Sequence, residues 1–259
     1  MKTELESAVI LVTGAAAGIG RAIAEHAAGE GVAGLFLTDI DGAGLSVVAE
    51  ALKGQTEVHF HAVDLAGPTA PAAIFEQAKA RFGGVTGLVN AAGITTRASF
   101  TNGSADLWNR LFAINARAPY LMMSAFINDA RARETGGTIV NIQSMNAHCG
   151  APELAIYAST KGALQTLTKN AANAHLRDGI RVNGINLGWT LTEAEDQIQS
   201  ETHSAGLDWA QASGVGLPLG RLILPDEAAR LAIYLLSPAS APMTGVSLDL
   251  EQSVVGAPR

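Results

Sequence analysis

The stretch AVILVTGAAAGIGRAIAE, residues 8–25, joins an apolar run of strand length to a glycine-rich turn and then to a helical pattern. Its glycines, Gly14, Gly18 and Gly20, follow the spacing G-x-x-x-G-x-G. Glycines at these places permit a tight turn and a close approach of the backbone to a pyrophosphate at the helix N-terminus. A lone glycine-rich turn is unspecific and is often only structural. Its place between a first strand and a first helix favours a dinucleotide-binding site.

The alternation of short apolar runs and longer helical patterns continues along the chain. The apolar runs cover residues 8–12, 35–38, 58–63, 87–89, 137–142, 180–187 and 245–248. The helical patterns cover residues 18–31, 42–53, 69–82, 104–133, 155–178 and 225–237. Because strands that alternate with helices form parallel sheets buried on both faces, we expect each run to be a buried strand. The pattern predicts a single-domain α/β doubly wound Rossmann fold over 1–259, with a seven-stranded parallel sheet flanked by helices on both faces.

One segment, at about 189–218, interrupts this rhythm. It has no strand pattern and only a helical hint near 193–211, and it contains Trp189 and Trp209. Long insertions after a strand of a compact domain are commonly lids or binding loops. The segment is therefore predicted to be a substrate lid.

Composition and charge exclude several classes of partner. The net charge is −7 and no run of Lys or Arg occurs, so nucleic acid and anionic membranes are not expected as partners. No stretch approaches the ~18 apolar residues of a membrane-spanning helix. Cys149 is the only cysteine, so an intramolecular disulfide is impossible and a cytoplasmic location is expected. Five histidines lack metal-ligand spacing, and no metal site is predicted; they are His26, His59, His61, His175 and His203.

The second apolar run ends at Asp39, where a carboxylate contacts the adenosine ribose in dinucleotide-binding folds. Such a carboxylate accepts hydrogen bonds from the ribose hydroxyls and repels a 2′-phosphate. Neither Ile40 nor Ala17 offers a positive charge for that phosphate. The alternative is that Asp39 only caps the following turn. We predict NAD as the cofactor in preference to NADP.

A tyrosine and a lysine four residues apart, Tyr157 and Lys161, follow Ser144 in the sequence. On a helix the two side chains share one face, and a nearby ammonium would lower the tyrosine pKa from about 10. Such a tyrosine can exchange a proton with an alcohol or a carbonyl, and Ser144 could hold the reacting oxygen. By itself the spacing is most often a solvated helix face.

Taken in order, these motifs resemble the short-chain dehydrogenase/reductase family of the Tyr-x-x-x-Lys type over essentially the whole chain. By this resemblance the catalytic residues are Asn115, Ser144, Tyr157 and Lys161. The cofactor-binding residues would be Gly14, Ala17, Gly18, Ile19, Gly20, Asp39, Ile40, Asp64, Leu65, Asn90, Ala91, Gly93, Tyr157, Lys161, Gly188, Thr190 and Thr192.

The resemblance implies reversible oxidation of a secondary alcohol to a ketone, with Tyr157 as the base that takes the hydroxyl proton. Lys161 would hold the nicotinamide ribose and lower the tyrosine pKa, and Asn115 would hold a relay water. Asp64 would contact the adenine ring, and Thr192 would anchor the carboxamide. The chain departs from the family at Leu187, where a proline is usual, at Ala91, and in the altered motif at 249–252. Two outcomes are open for the loop that follows: the proline's absence loosens it, or its backbone contacts survive.

Substrate residues are predicted from the stretch after the catalytic serine and from the lid. They are Ser144, Asn146, His148, Trp189 and Trp209. The alternatives are an exposed loop histidine at His148 and a helix anchor at Trp209. The lid carries the acidic residues Glu193, Glu195, Asp196, Glu201 and Asp208, which disfavour anionic substrates. The predicted substrate is a small polyol, a sugar or a sugar derivative.

Two other functions remain open at this point. One is an NAD(P)H-dependent carbonyl or 3-oxoacyl reductase, and the other is a non-catalytic dinucleotide-binding sensor or scaffold. The long helical patterns at 104–133 and 155–178 carry apolar residues on more than one face, so they need more than one partner. The sequence and the resemblance therefore predict a homodimer or homotetramer formed through these helices.

Overall fold

The computed structural model describes residues 3–202 and 208–256. Within this part the chain forms one seven-stranded sheet in the order β3-β2-β1-β4-β5-β6-β7. The strands are β1 (Val9–Thr13), β2 (Gly34–Asp39), β3 (Glu57–Ala62), β4 (Gly87–Asn90), β5 (Gly137–Ser144), β6 (Ile180–Leu187) and β7 (Ser247–Leu250). Every neighbouring pair is parallel. The predicted sheet is confirmed.

The helices lie close to their predicted positions. They are α1 (Gly18–Gly29), α2 (Gly42–Leu52), α3 (Ala70–Phe82), α4 (Ala105–Phe112), α5 (Ala118–Arg133), α6 (Ala155–His175), α7 (Glu193–Gln197), α8 (Trp209–Val215) and α9 (Pro225–Leu236). A π-helical segment, Ala113–Arg117, joins α4 to α5 within the predicted 104–133 helix. None of the helices in the described part of the chain is long and apolar enough to cross a membrane.

Alternate residues of strand β1 face two separate cores. Ile10 and Val12 of β1 lie in a cluster with α1 and α9, whereas Leu11 lies in a second cluster on the opposite face, with α3 and α5. Phe75 and Phe126 pack edge to face in the second cluster, 6.3 Å between ring centroids. Because burying an apolar side chain of this size contributes ~1.5–3 kcal/mol, both faces of the sheet stabilise the fold.

The expectation that every apolar run is a buried strand is wrong for β3. This strand pairs only with β2 and forms an edge of the sheet, and Phe60 is one of its exposed side chains. Its alternation of apolar residues with Glu57, His59 and His61 is typical of an edge, where one side is in contact with solvent.

The order of the strands places a crevice at the centre of the sheet. Strand β1 pairs with β2 on one side and with β4 on the other, so the chain reverses its direction of winding between β1 and β4. In open α/β sheets ligands bind beyond the carboxyl ends of the strands at such a switch point. The glycine-rich turn after β1 and the segment after β4 both begin there.

The segment after β6 is held to the sheet by backbone hydrogen bonds. Thr190 and Ile223 form an isolated parallel bridge. The sequence showed no strand pattern in this segment, so this bridge was not predicted. The hydroxyl of Thr192 accepts a hydrogen bond from the amide of Glu195 at 3.2 Å and caps α7. The predicted lid at 189–218 includes 203–207, so His203 and part of the lid lie outside the described residues, as does the side chain of Glu201.

Candidate active site

The glycines of the first turn are required by close backbone packing. A Cβ on Gly14 would lie 2.7 Å from the backbone of Ala92, and one on Gly20 would lie 2.1 Å from the carbonyl oxygen of Gly14. Gly14 and Gly18 also have positive φ values of 68° and 52°. The turn after β1 is thereby pressed against the segment that follows β4, with the N-terminus of α1 open to a ligand.

A cavity of about 320 Å³ lies beside this turn. The predicted cofactor residues that line it are Gly14, Ala17, Gly18, Ile19, Gly20, Asp39, Ile40, Asp64, Leu65, Ala91, Gly93 and Thr192. The amide of Gly18 already donates a hydrogen bond to an anionic oxygen, Oε2 of Glu193, at 3.0 Å. The residues present therefore fit a dinucleotide, because a phosphate oxygen needs the same kind of donor.

The carboxylate of Asp39 is held in place by the backbone. One oxygen accepts from the amide of Ala16 and the other from the amide of Asp41, both at 3.1 Å. Asp64 is also engaged: it accepts from the amide of Ala66 and from Arg110, whose Nη1 lies 2.7 Å from Oδ2. These two contacts lower the pKa of Asp64 below its usual value. Both carboxylates face the cavity with fixed geometry.

A second cavity of about 700 Å³ adjoins the first. Ile19, Ala91, Gly93 and Thr192 line both, so the two form one continuous cleft. The larger cavity is also lined by Ser144, Asn146, Tyr157, Lys161, Gly188, Trp189 and Thr190, which were all predicted from the sequence.

One predicted cofactor residue lines neither cavity, and the prediction is corrected for its side chain. Asn90 is buried at the end of β4, and its Nδ2 donates to Oδ1 of Asn141 at 2.8 Å. Because this bond joins two neighbouring strands inside the sheet, the amide of Asn90 is turned away from the cleft.

The serine, tyrosine and lysine meet in the larger cavity because β5 ends where α6 begins to pass over it. Ser144 is the last residue of β5, and Tyr157 and Lys161 lie one turn apart on α6. All three are buried. The hydroxyl of Ser144 accepts from the amide and from Nδ2 of Asn146, each at 3.2 Å. This positions Oγ towards the tyrosine.

Burial dominates the ionisation of the tyrosine and the lysine. It raises the pKa of Tyr157 to about 12, while a hydrogen bond with Ser144 acts in the opposite direction and the charge of Glu195 raises the pKa further. Burial also lowers the pKa of Lys161 to about 8. Burial is thus the largest effect on both groups, and the lowering of the tyrosine pKa by Lys161 stays a prediction. Nζ of Lys161 donates to the carbonyl of Ile142 at 2.8 Å and lies 5.7 Å from the tyrosine ring centroid.

Asn115 lies in the π-helical segment and is completely buried. Its Oδ1 accepts from the amide of Ile94, and its Nδ2 donates to the Ile94 carbonyl, both at 2.9 Å. The same Nδ2 donates to the hydroxyl of Thr160 at 3.1 Å. Thr160 lies between Tyr157 and Lys161 on α6. Asn115 thus joins the segment after β4 to the helix of the tyrosine, and its role in holding a water stays a prediction.

The loop after β6 is anchored despite the leucine at the usual proline position. Leu187 pairs with Leu250 of β7, and the amide of Gly188 donates to the Leu250 carbonyl at 3.0 Å. A Cβ on Gly188 would lie 2.1 Å from Oε2 of Glu251. The backbone contacts at the start of this loop are therefore present without the proline, and the altered motif places Glu251 against it.

The predicted substrate residues divide into two groups. Asn146 and Trp189 line the larger cavity, whereas His148 and Trp209 do not, which corrects the prediction for these two. His148 lies 3.2 Å from Asp249 of β7 through its Nε2. Trp209 is buried, and its Nε1 donates to Asp196 at 2.6 Å. Trp209 is thus the helix anchor that the sequence left as an alternative.

Several polar residues of the larger cavity could not be chosen from the sequence. They are Arg97, Glu153, Glu195, Gln199 and Glu251. Glu195 and Glu153 lie on separate segments, and no motif connects them. The acidic composition of the lid was the one sequence feature that included Glu195, and it did not indicate that Arg97 would lie beside it.

Known proteins are similar to this chain in sequence over most of their length. A family model described as enoyl-(acyl carrier protein) reductase matches residues 14–251. The chain is 32% identical to 2-(S)-hydroxypropyl-CoM dehydrogenase 3 of Xanthobacter autotrophicus, over 97% of this chain and 98% of that protein. It is 33% identical to galactitol 2-dehydrogenase of Agrobacterium fabrum, over 90% of this chain and 91% of that protein.

A solved structure is similar at full length. It is L-sorbose reductase of Gluconobacter frateurii, complexed with NADPH and L-sorbose, with 28% identity, a TM-score of 0.93 and complete coverage of both chains. The relatives are dehydrogenases and reductases of alcohols, sugars and polyols. The chain is an oxidoreductase that acts on alcohols and binds a nicotinamide dinucleotide. It belongs to the short-chain dehydrogenase/reductase family.

Proposed function

We propose that this enzyme interconverts a secondary alcohol and a ketone on a small polyol, sugar or sugar derivative, with NAD(H) as its cofactor. The observation that carries the proposal is the meeting of Ser144 and Tyr157 in a cavity continuous with the glycine-rich cleft. A hydroxyl and a phenol on one wall can bind the oxygen of a carbinol between them.

The residues of the site divide the work of one proton transfer. A bound nicotinamide would supply the group that accepts or donates the hydride. Ser144 Oγ donates a hydrogen bond to the substrate oxygen, and Tyr157 Oη takes the hydroxyl proton in oxidation or returns it in reduction. With a pKa of about 12, Tyr157 is already protonated for reduction. Oxidation needs its phenolate, and Lys161 is the nearby cation that can stabilise this charge.

Two kinds of support favour NAD over NADP. The fixed carboxylate of Asp39 faces the smaller cavity, and Ile40 beside it is exposed and uncharged. A 2′-phosphate there would meet a negative charge, and Arg110, a cation that lines the same cavity, is already paired with Asp64 at 2.7 Å. The L-sorbose reductase structure contains NADPH, so that relative gives no support for NAD. Initial rates with NAD and NADP on one alcohol test the preference, and equal kcat/KM values would contradict it.

The polyol substrate is supported by the relatives and by the polar wall of the larger cavity. One relative is named for galactitol and another was solved with L-sorbose. The test is a panel of polyols, sugars and 3-oxoacyl thioesters, followed by absorbance of the reduced cofactor. We expect turnover with polyols or sugars. Turnover confined to 3-oxoacyl thioesters would favour the reductase alternative instead, and cofactor binding without any turnover would favour the sensor.

Self-association through 104–133 and 155–178 remains part of the proposal. Trp108 on α4 stacks on Phe112 with 4.4 Å between ring centroids but is still 45% exposed, and Tyr120 on α5 is 51% exposed. Apolar surface on α4 and α5 is therefore left uncovered by the described part of the chain. Light scattering distinguishes monomer, dimer and tetramer, and a monomer would contradict it. A cytoplasmic location stays a prediction that rests on the single cysteine.

A further inference from the structure

A cluster of four side chains converges in the wall of the larger cavity. We call it the Glu195 cluster, and it consists of Arg97, Trp189, Glu195 and Gln199. Oε1 of Glu195 accepts hydrogen bonds from Nη2 of Arg97 at 3.2 Å, Nε1 of Trp189 at 3.0 Å and Nε2 of Gln199 at 2.7 Å. A carboxylate oxygen held by three donors has a fixed position, as a recognition group requires.

The ion pair in this cluster is largely shielded from solvent. The side chain of Glu195 is 13% exposed and that of Arg97 is 23% exposed. Shielding makes the contact stronger than a surface ion pair, and it also makes the loss of either partner more costly. The charge of Arg97 is therefore balanced by Glu195 as long as both are present.

Arg97 is fixed to the same helix that carries the tyrosine. Its neighbour Ala98 forms a bridge with Leu154, and the amide of Ala98 donates to the carbonyl of Glu153 at 2.7 Å. The amide of Ala155, the first residue of α6, donates back to Ala98 at 3.1 Å. The distance from the cluster to Tyr157 is thus set by backbone pairing, and not by a single side chain.

The Glu195 cluster and Tyr157 face the same space. Both line the larger cavity, and the negative charge of Glu195 reaches the phenol strongly enough to raise its pKa. Three carboxylates line this cavity, from Glu153, Glu195 and Glu251, together with the cations Arg97 and Lys161. A substrate bound at Tyr157 therefore extends towards a wall on which negative groups outnumber positive ones.

We propose that Glu195 and Arg97 determine substrate specificity by binding hydroxyls remote from the reacting carbinol and by rejecting substrates that carry a carboxylate. The inference rests on the proposed function and names the selection made in its substrate site. A carboxylate accepts from hydroxyls and a guanidinium donates to them, so the pair suits a neutral polyol. A sugar acid would meet an arginine that is already neutralised, and the charge of Glu195 would repel it.

The test compares galactitol with galactonate, which have the same carbon chain but differ in charge. In Glu195→Gln the hydrogen-bond acceptor is kept while the negative charge is lost, and Arg97 becomes free to bind a carboxylate. We expect the ratio of kcat/KM for galactitol to that for galactonate to fall by roughly tenfold or more. An unchanged ratio in a folded, dinucleotide-binding variant overturns the inference.

Glu153→Gln is the matched control, because it removes the same charge from the same cavity. Among the described hydrogen bonds, none joins the Glu153 side chain to Arg97. We expect the control to change the ratio by much less than Glu195→Gln does. If both variants change it equally, the effect is one of total charge and the specific role of Glu195 is refuted.

A second variant keeps the test decisive if Glu195→Gln fails to fold. Arg97→Gln removes the cation and leaves Glu195 unbalanced, so galactonate should be rejected more strongly than by the wild type. In the double variant the two changes should not be additive, because the residues act as a pair. Additive effects on the ratio contradict the proposed pairing.

A binding measurement separates this inference from the proposed function. Calorimetry of the full chain with NADH present measures binding of galactitol and galactonate, because a polyol does not react when the cofactor is already reduced. A binding preference for galactitol that Glu195→Gln abolishes supports the inference even if no alcohol is oxidised. Oxidation of polyols with binding unaffected by either variant leaves the function standing and refutes the inference.

Discussion

The carboxylate of Glu193 accepts a hydrogen bond from the backbone amide of Gly18, with 3.0 Å between Oε2 and N. Gly18 is the first residue of α1, whose N-terminus carries a partial positive charge. A Cβ on Gly18 would lie 3.3 Å from Cγ2 of Thr192, so the loop after β6 packs directly on the glycine-rich turn. A carboxylate of the chain therefore uses an amide that the pyrophosphate of a dinucleotide would need.

Removing this carboxylate should tighten cofactor binding. Because an anion at a helix N-terminus contributes ~0.3–1 kcal/mol, we expect Glu193→Ala to lower the Kd for NADH by about two- to fivefold. Fluorescence titration of NADH measures the change. Glu76→Ala, at an exposed position of α3, removes the same charge elsewhere and should leave the Kd unchanged. Weaker NADH binding by Glu193→Ala would show that the contact supports the site instead of competing for it.

The packing of Gly20 against Gly14 predicts a loss of stability on adding a methyl group. A Cβ at Gly20 would lie 2.1 Å from the Gly14 carbonyl, so the turn or the helix must shift. We expect Gly20→Ala to reduce the free energy of unfolding by ~1–3 kcal/mol, measured by urea denaturation. Gly29→Ala is the control on the same helix, because a Cβ there has nothing within 4 Å. That variant should be stabilised by ~0.5–1 kcal/mol; equal losses in the two variants would contradict the packing argument.

Cofactor choice should depend on the fixed carboxylate of Asp39. Asp39→Ala removes the acceptor of the ribose hydroxyls and the charge that repels a 2′-phosphate. We expect the ratio of kcat/KM for NAD to that for NADP to fall by roughly tenfold or more, the effect of losing a hydrogen bond to a charged group. Asp106→Ala, at the start of α4, serves as the charge control. If the NAD-to-NADP ratio of kcat/KM stays at the wild-type value, Asp39 does not select the cofactor and only caps its turn.

Much of the fold could be predicted because its pattern is local. The turn at 13–20 lies between a strand and a helix. The alternation of strand-length apolar runs with helical patterns from 35 to 187 predicted the parallel sheet. The exposure of β3 was missed: its place at the edge depends on strand order, and the one local signal was its alternation of apolar residues with Glu57, His59 and His61. The π-helical turn around Asn115 was also missed, since a single extra residue in a helical turn leaves no periodic signal.

The sequence predicted the residues of the candidate site that belong to motifs, but it did not predict which polar residues line the rest of the larger cavity. Tyr157, Lys161 and Ser144 are close in sequence, and their spacing determines their geometry. Arg97 and Glu195 meet only because the segment after β4 packs against the short helix α7, and the two are far apart in the sequence with no motif that joins them. The lowering of the tyrosine pKa by Lys161 stays a prediction: spacing places the two side chains near each other, but burial, which the sequence does not give, has the largest effect on the pKa of each.

The buried lysine predicts a pH dependence of stability. In the folded chain the pKa of Lys161 is lowered to about 8 from 10.5, so the unfolded chain binds more protons between these values. Stability should therefore rise with pH across this interval, whereas below pH 8 both states are protonated and the burial cost is complete. Urea denaturation at pH 7, 8, 9 and 10 should show wild type gaining up to roughly 3 kcal/mol relative to Lys161→Met. Parallel curves for the two proteins would contradict a buried, perturbed lysine.

The central claim is that Tyr157 transfers the proton in an alcohol oxidation. Tyr157→Phe keeps the ring and removes only the hydroxyl, so the larger cavity keeps its shape. Tyr120→Phe makes the same change on the exposed surface of α5 and is the control.

The most direct measurement is kcat/KM of Tyr157→Phe on the best alcohol of the panel, with NADH titration to show that the cofactor still binds. We predict a loss of ~10²–10⁴-fold with an unchanged Kd for NADH, and a control that retains wild-type rates. Wild-type turnover by Tyr157→Phe, in a folded protein that binds NADH, would contradict the account.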